Sequence, residues 1–106
     1  GIDFLLHPIV VNLPPVAEDQ LVSTFMNKAV TITLGATDPD GDPLTYLCVD
    51  LPANGVLTGC EDADPYVTYT PNRKFTGTDT FTFKANDGSL DSNVATVTIE
   101  VKKKNE

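Results

Sequence analysis

Two loops in this sequence carry residue types whose spacing suits chemistry. Asp38-Pro39-Asp40-Gly41-Asp42 places carboxylates at alternate positions around a glycine, and Asn86-Asp87-Gly88-Ser89-Leu90-Asp91 adds two further acids. Where such a loop curls at Gly41, alternate aspartates turn toward one centre. Gathered carboxylates repel each other, and a hard cation removes that cost. Ca²⁺ suits the task because it accepts about six to eight oxygens in flexible geometry, whereas Mg²⁺ demands a tighter octahedron. The competing reading is structural: Asp, Gly and Pro are ordinary turn residues, and Asp38 on that reading does no more than cap its loop through an Asx-turn.

Other chemistry finds little support. Nucleophilic catalysis needs a positioned base, and the sole histidine, His7, lies in a stretch that reads as linker. A carboxylate pair for glycoside hydrolysis could be drawn from the aspartates, but these sit on turns, and a small domain offers no deep cleft. No glycine-rich phosphate loop is present. The chain therefore reads as a non-enzyme. Cys48 and Cys60 fit neither a redox Cys-x-x-Cys pair nor a four-ligand zinc set. One reading makes Cys48 a buried core thiol. The other is a disulfide: a turn centred on Asn54 would set Cys48 opposite Cys60 on adjacent strands, within bridging distance. The disulfide is the preferred expectation, and it implies an oxidising compartment.

These loops must be held by strands. Val30, Ile32, Leu34 and Ala36 alternate with Thr31 and Thr33; Phe81, Phe83 and Ala85 alternate with Thr80, Thr82 and Lys84; Ala95, Val97, Ile99 and Val101 alternate with Thr96, Thr98 and Glu100. A period of two marks strands with one face in the core and the other in water. Turn signals separate the runs at Pro14-Pro15, 38–43, Asn54-Gly55, Asp64-Pro65, Pro71-Asn72, Gly77 and Asp87-Gly88. The expected strands are 17–24, 29–37, 44–50, 55–59, 66–70, 78–86 and 93–102, a seven-strand, all-β Greek-key sandwich. Tyr46 and Tyr69 fall on core-facing positions, leaving Tyr66 as an exposed ring. In such a sandwich the 38–42 loop, the 86–91 loop and the start of the first strand at Asn12 share one pole. Five aspartates and the Asn12 carbonyl would then gather there with no Lys or Arg among them.

The chain has 106 residues, 41% of them hydrophobic, and a formal net charge of −8. That is enough for one packed domain. The acidic balance disfavours nucleic acid and anionic membrane and favours divalent cations. No run is long and apolar enough for a membrane span, and no leader pattern opens the chain. Residues 1–11 read as linker or remnant, 12–102 as the domain and 103–106 as a tail.

The ordered set Pro14-Pro-Val-Ala17, Val30-Thr-Ile-Thr-Leu-Gly-Ala-Thr-Asp-Pro-Asp-Gly-Asp-Pro-Leu-Thr-Tyr46, Pro52-Ala-Asn-Gly55, Tyr69-Thr-Pro-Asn72, Phe75-Thr-Gly-Thr-Asp-Thr-Phe-Thr-Phe83, Asn86-Asp-Gly88 and Ser92-Asn-Val-Ala-Thr-Val-Thr-Ile99 resembles the bacterial and archaeal cadherin-like, Ig-like tandem repeats. The resemblance implies an immunoglobulin-like sandwich found in strings within surface adhesins, stalks and secreted multidomain enzymes. It also implies Ca²⁺ at the domain junction, with Asp38 and Asp40 matching the Asp-x-Asp pair of cadherins, Asn12 the linker asparagine, and Asp87 the family's Asp-Gly turn. Asp42 and Asp91 are candidates from the pole argument alone. Where family members carry an acidic run before the second strand, this chain reads Phe25-Met26-Asn27-Lys28, so a cation replaces the ligand of the following junction. Phe25 and Met26 either form an apolar contact for a neighbour or fold back under their turn.

The expected function is thus a structural or adhesive module of an extracellular, secreted or cell-surface protein: a spacer or stalk repeat rigidified by Ca²⁺ at its N-terminal pole. Its partners would be neighbouring domains of the same chain, with no nucleic acid and no membrane insertion, and the piece alone would be monomeric. The alternative is a carbohydrate- or protein-binding accessory module of a secreted multidomain enzyme.

Overall fold

The computed structural model describes residues 13–60 and 63–103. The alternating runs fold as β1 (Val16–Ala17), β2 (Gln20–Phe25), β3 (Val30–Thr33), β4 (Ala36–Thr37), β5 (Thr45–Asp50), β6 (Gly55–Thr58), β7 (Tyr66–Pro71), β8 (Gly77–Asn86) and β9 (Ala95–Lys102). One sheet has the order β2-β9-β8-β5, a second β3-β7-β6, and β1 pairs with β4 beside it. Odd-numbered side chains of β8 and β9 point inward, so Phe81, Phe83, Val97 and Ile99 are fully buried against Ile32, Val67 and Tyr69 of the facing sheet. Burial of each such large side chain contributes about 1.5–3 kcal/mol. The result is the immunoglobulin-like sandwich that the alternation predicts.

Two expected strands change partner midway. The run 17–24 breaks at Glu18-Asp19: β1 pairs antiparallel with β4, then β2 runs parallel to β9, with Gln20 opposite Val97 and Phe25 opposite Lys102. The inward parity changes with it, from buried Ala17 to buried Thr24. The run 29–37 is divided at Leu34-Gly35: β3 leaves β7 after Thr33 and the chain meets β1 at Ala36. Glu18 N–H donates to the Gly35 carbonyl (3.0 Å) and Thr96 N–H to Asp19 Oδ1 (2.8 Å), fastening the crossing on both sides.

The expected hairpin between the cysteines does not form. β5 pairs with β8, setting Cys48 opposite Phe83, while β6 pairs with β7 in the other sheet. The turn after β5 carries the chain across the sandwich, with Pro52 buried beneath it. Cys48 and Cys60 are joined by a disulfide with Cα atoms 5.7 Å apart, and the bridge spans the two layers. It closes the side of the sandwich where β5 and β6 are both edge strands.

Tight packing at the turn into β6 requires glycine. A Cβ on Gly55 would lie 2.5 Å from the Tyr69 ring and 2.8 Å from the Thr70 carbonyl oxygen. That approach lets the Tyr69 hydroxyl reach Asp79 Oδ2 at 2.7 Å.

Candidate functional site at the acidic pole

The loop from β4 to β5 folds on its own aspartates. Asp38 Oδ1 accepts from Asp40 N–H (2.7 Å), and the Asp38 carbonyl accepts from Gly41 N–H (3.0 Å). Gly41 adopts φ 73°, the left-handed conformation that glycine takes without steric cost. This curl is the Asx-turn expected of an ordinary loop, and it also turns the alternate carboxylates together. One oxygen from each of Asp38, Asp40 and Asp42 lies within 4.8 Å of the others. Oxygens bound to one Ca²⁺ at about 2.3–2.6 Å cannot lie farther apart than about 5 Å, so the spacing fits. Asp38 Oδ2 is buried and has no hydrogen-bond partner. A buried carboxylate oxygen without a donor is costly unless something else neutralises it.

The start of the described chain and the β8–β9 loop meet this turn. Leu13 N–H donates to Asp40 Oδ2 at 2.8 Å. Asn93 grips the first strand from the other side: its Oδ1 accepts from Ala17 N–H (2.9 Å) and its Nδ2 donates to the Ala17 carbonyl (3.1 Å). Asp87 Oδ1 accepts from Ser89 and Leu90 N–H, both at 2.8 Å, closing its own turn. The side chain is close enough to Asp42 to act on its ionisation. Partial desolvation, followed by the charges of Asp38, Asp40 and Asp87, raises the Asp42 carboxyl above the ordinary carboxylate range. Asn12, the fifth candidate ligand, lies outside the described residues.

Asp91 departs from the expectation of a pole without cations. It bridges Lys84 Nζ at 2.9 Å and accepts from Asn86 Nδ2 at 2.8 Å. The Asn86 hydrogen bond, then Lys84, pull its carboxyl below the ordinary range. The alternation of β8 places Lys84 on the outer face, so Asp91 is neutralised from its own hairpin and is not among the clustered carboxylates.

A buried carboxylate lies outside the expected set. Asp79 is 4% exposed at the opposite pole. It accepts from Ala53 N–H (3.2 Å), Asn54 N–H (3.0 Å), Thr80 N–H (2.9 Å) and the Tyr69 hydroxyl (2.7 Å). Burial, and then Asp79 itself, hold the Tyr69 hydroxyl far above its ordinary value. With so many donors this acid is a joint between sheets rather than a reactive group. The signal was present, since Asp79 shares the inward parity of Phe81 and Phe83.

Fold and pole together define an immunoglobulin-like sandwich in which the loops of one end gather acids. Residues 12–100 match the family described as bacterial Ig domain. The chain belongs to that family. Among curated proteins it is 34% identical over 110 residues to the integrin beta-like protein C of Dictyostelium discoideum, covering 90% of this chain and 6% of that protein. It is likewise 34% identical over 98 residues to a sphingomyelinase of Mycobacterium tuberculosis, covering 81% of this chain and 20% of the enzyme. The chain thus spans only a small part of these relatives. Among solved structures, human mucin-like protocadherin EC1-2 shares the fold at a TM-score of 0.58 and 18% identity, over 86% of this chain and 54% of that one. An endo-fucoidan hydrolase of glycoside hydrolase family 107 matches at a TM-score of 0.65 and 23% identity, over 86% of this chain and 14% of the enzyme.

Proposed function

We propose that this domain is a non-catalytic module of a longer extracellular protein, a spacer whose N-terminal pole takes Ca²⁺ to stiffen the junction with the preceding domain. One observation carries the calcium reading: three carboxylate oxygens lie within 4.8 Å of one another while Asp38 Oδ2 is buried without a donor. Asp38, Asp40 and Asp42 supply the core ligands, and Asp87 and Asn12 stand as further donors. The disulfide supports an oxidising, extracellular setting. The small share of each relative that the domain covers supports a part serving a larger chain.

The accessory-module alternative draws on the sphingomyelinase relative and the hydrolase structure. In such a chain the same domain would act as a rigid spacer. Direct sugar binding finds weaker support, because the exposed rings among the described residues are Tyr66 and Phe25, which sit toward opposite poles and make no common platform.

A thermal melt in millimolar Ca²⁺ against chelator tests the calcium reading, with Mg²⁺ as control. Saturation at about a hundred times Kd stabilises the folded state by about 2.7 kcal/mol. The expected result is a higher melting temperature in Ca²⁺ than in Mg²⁺, abolished in Asp38→Asn. An unchanged melting temperature in the unmodified domain overturns it.

A further inference from the structure

The charges of this domain are sorted by pole. Among the described residues, every Lys and Arg except Lys84 lies at the end opposite the aspartate cluster. Lys28 follows the turn after β2; Arg73 and Lys74 lie in the β7–β8 connection; Lys102 and Lys103 end β9, and all are exposed. Hydrogen bonds gather them: Lys74 N–H donates to Asn27 Oδ1 (3.0 Å), and Met26 N–H to the Lys102 carbonyl (2.8 Å). Among the described residues, the acids nearby are Glu100, one turn of alternation before Lys102, and Asp79, whose carboxylate is buried and fully engaged. Between Lys28 and Lys102 runs a shallow groove of about 230 Å³, lined by Phe25, Ala29 and Val30, with Phe25 46% exposed.

At the other pole the loop tip presents the reciprocal chemistry. Pro39 is exposed and flanked by Asp38 and Asp40, with Asp42 beyond Gly41. We propose that the basic groove at the C-terminal pole seats the Pro39-centred acidic loop of a second copy of this domain, giving a head-to-tail contact. Pro39 packs on Phe25, and Lys28 and Lys102 pair with Asp40 and Asp42. The apolar anchor and the two charged rims together give the contact its direction.

The net charge of −8 opposes approach of two copies. However, β8 alone sets the poles about 30 Å apart at about 3.3 Å per residue. At about 0.1 M salt the screening length is about 10 Å, so a contact at one pole feels the facing charges and little of the far ones. The surfaces joined are unlike, so the contact does not close on itself and lengthens into short strings. Tethering like domains in one chain raises their effective concentration to about millimolar, where a weak contact is populated.

Sedimentation velocity in chelator tests this independently of calcium, because the contact uses lysines and calcium is withheld. The unmodified domain should sediment faster as concentration rises at about 0.1 M salt and as a monomer at about 1 M, where screening reaches about 3 Å. Lys28→Glu with Lys102→Glu should weaken association about tenfold, as should Asp42→Lys. Mixing these two variants should restore it, since each then presents the pole the other lacks. Salt-insensitive association, a unmodified domain monomeric at every concentration, or a mixture no more associated than its parts overturns the proposal.

Discussion

Asp42 meets Asp38, Asp40 and Asp87 across a short loop, and its raised proton affinity has a definite sign. The folded state holds this proton more tightly than the unfolded chain does. Without metal, Asp42 therefore weakens the fold as pH rises from below the ordinary carboxylate value to above its raised one. Asp91 runs the other way: its lowered value gives stability above the ordinary range that is lost on acidification. In chelator at neutral pH, Asp42→Asn should melt at a higher temperature than the unmodified domain, and in Ca²⁺ the order should reverse. A melt series in both buffers checks this, and a variant that melts lower in chelator contradicts the repulsion. Asp79 belongs to a different class. Asp79→Asn sets an amide donor against donors already in place, and should cost about 1–3 kcal/mol in urea unfolding whether or not Ca²⁺ is present. Equal melting curves would show that the Tyr69 hydroxyl and the turn amides find other partners.

Alternation made the strands legible, because Thr and apolar residues change places with period two from Val30 to Ala36 and from Phe81 to Ala85. The same parity placed Asp79 inside, although its acidity concealed that role. Partner changes were harder to read. Glu18-Asp19 resets the inward parity between β1 and β2, but nothing local says that β2 will align with β9, since that depends on a sheet assembled from residues far along the chain. Nor could spacing tell a hairpin from a crossing between Thr45 and Thr58: the apolar Cys48 and Leu57 suit either, and burial of Pro52 decides for the crossing. The aspartate pole was legible because loops of alternating strands must share an end; the capture of Asp91 by Lys84 required the folded hairpin. The disulfide then has a role of its own at the level of the sheets. It joins edge strand β5 to the segment just after edge strand β6, which no ladder connects to it, over a separation of 12 residues. Closing a loop of that order contributes about 3 kcal/mol on the chain-entropy account. Cys48→Ser with Cys60→Ser should lower unfolding free energy by about 2–3 kcal/mol, and reductant should do the same to the unmodified domain but nothing to the variant.

As a whole the domain is a short rod with an acid end and a basic end, crossed by strands of which most neighbours run antiparallel. The exception is β2 beside β9. Leu13 lies at the aspartate pole and Lys102 at the other, so a stretching load applied between them would draw β2 and β9 in opposite directions along their shared ladder. Every hydrogen bond from Gln20–Val97 to Phe25–Lys102 would then bear that load together, in shear. Attachment at Gly77 and Lys102, adjacent ends of antiparallel β8 and β9, would peel the bonds one at a time instead. Single-molecule extension should find a higher rupture force for the first geometry than for the second. Equal forces in the two geometries would show that the β2–β9 ladder is not what resists extension.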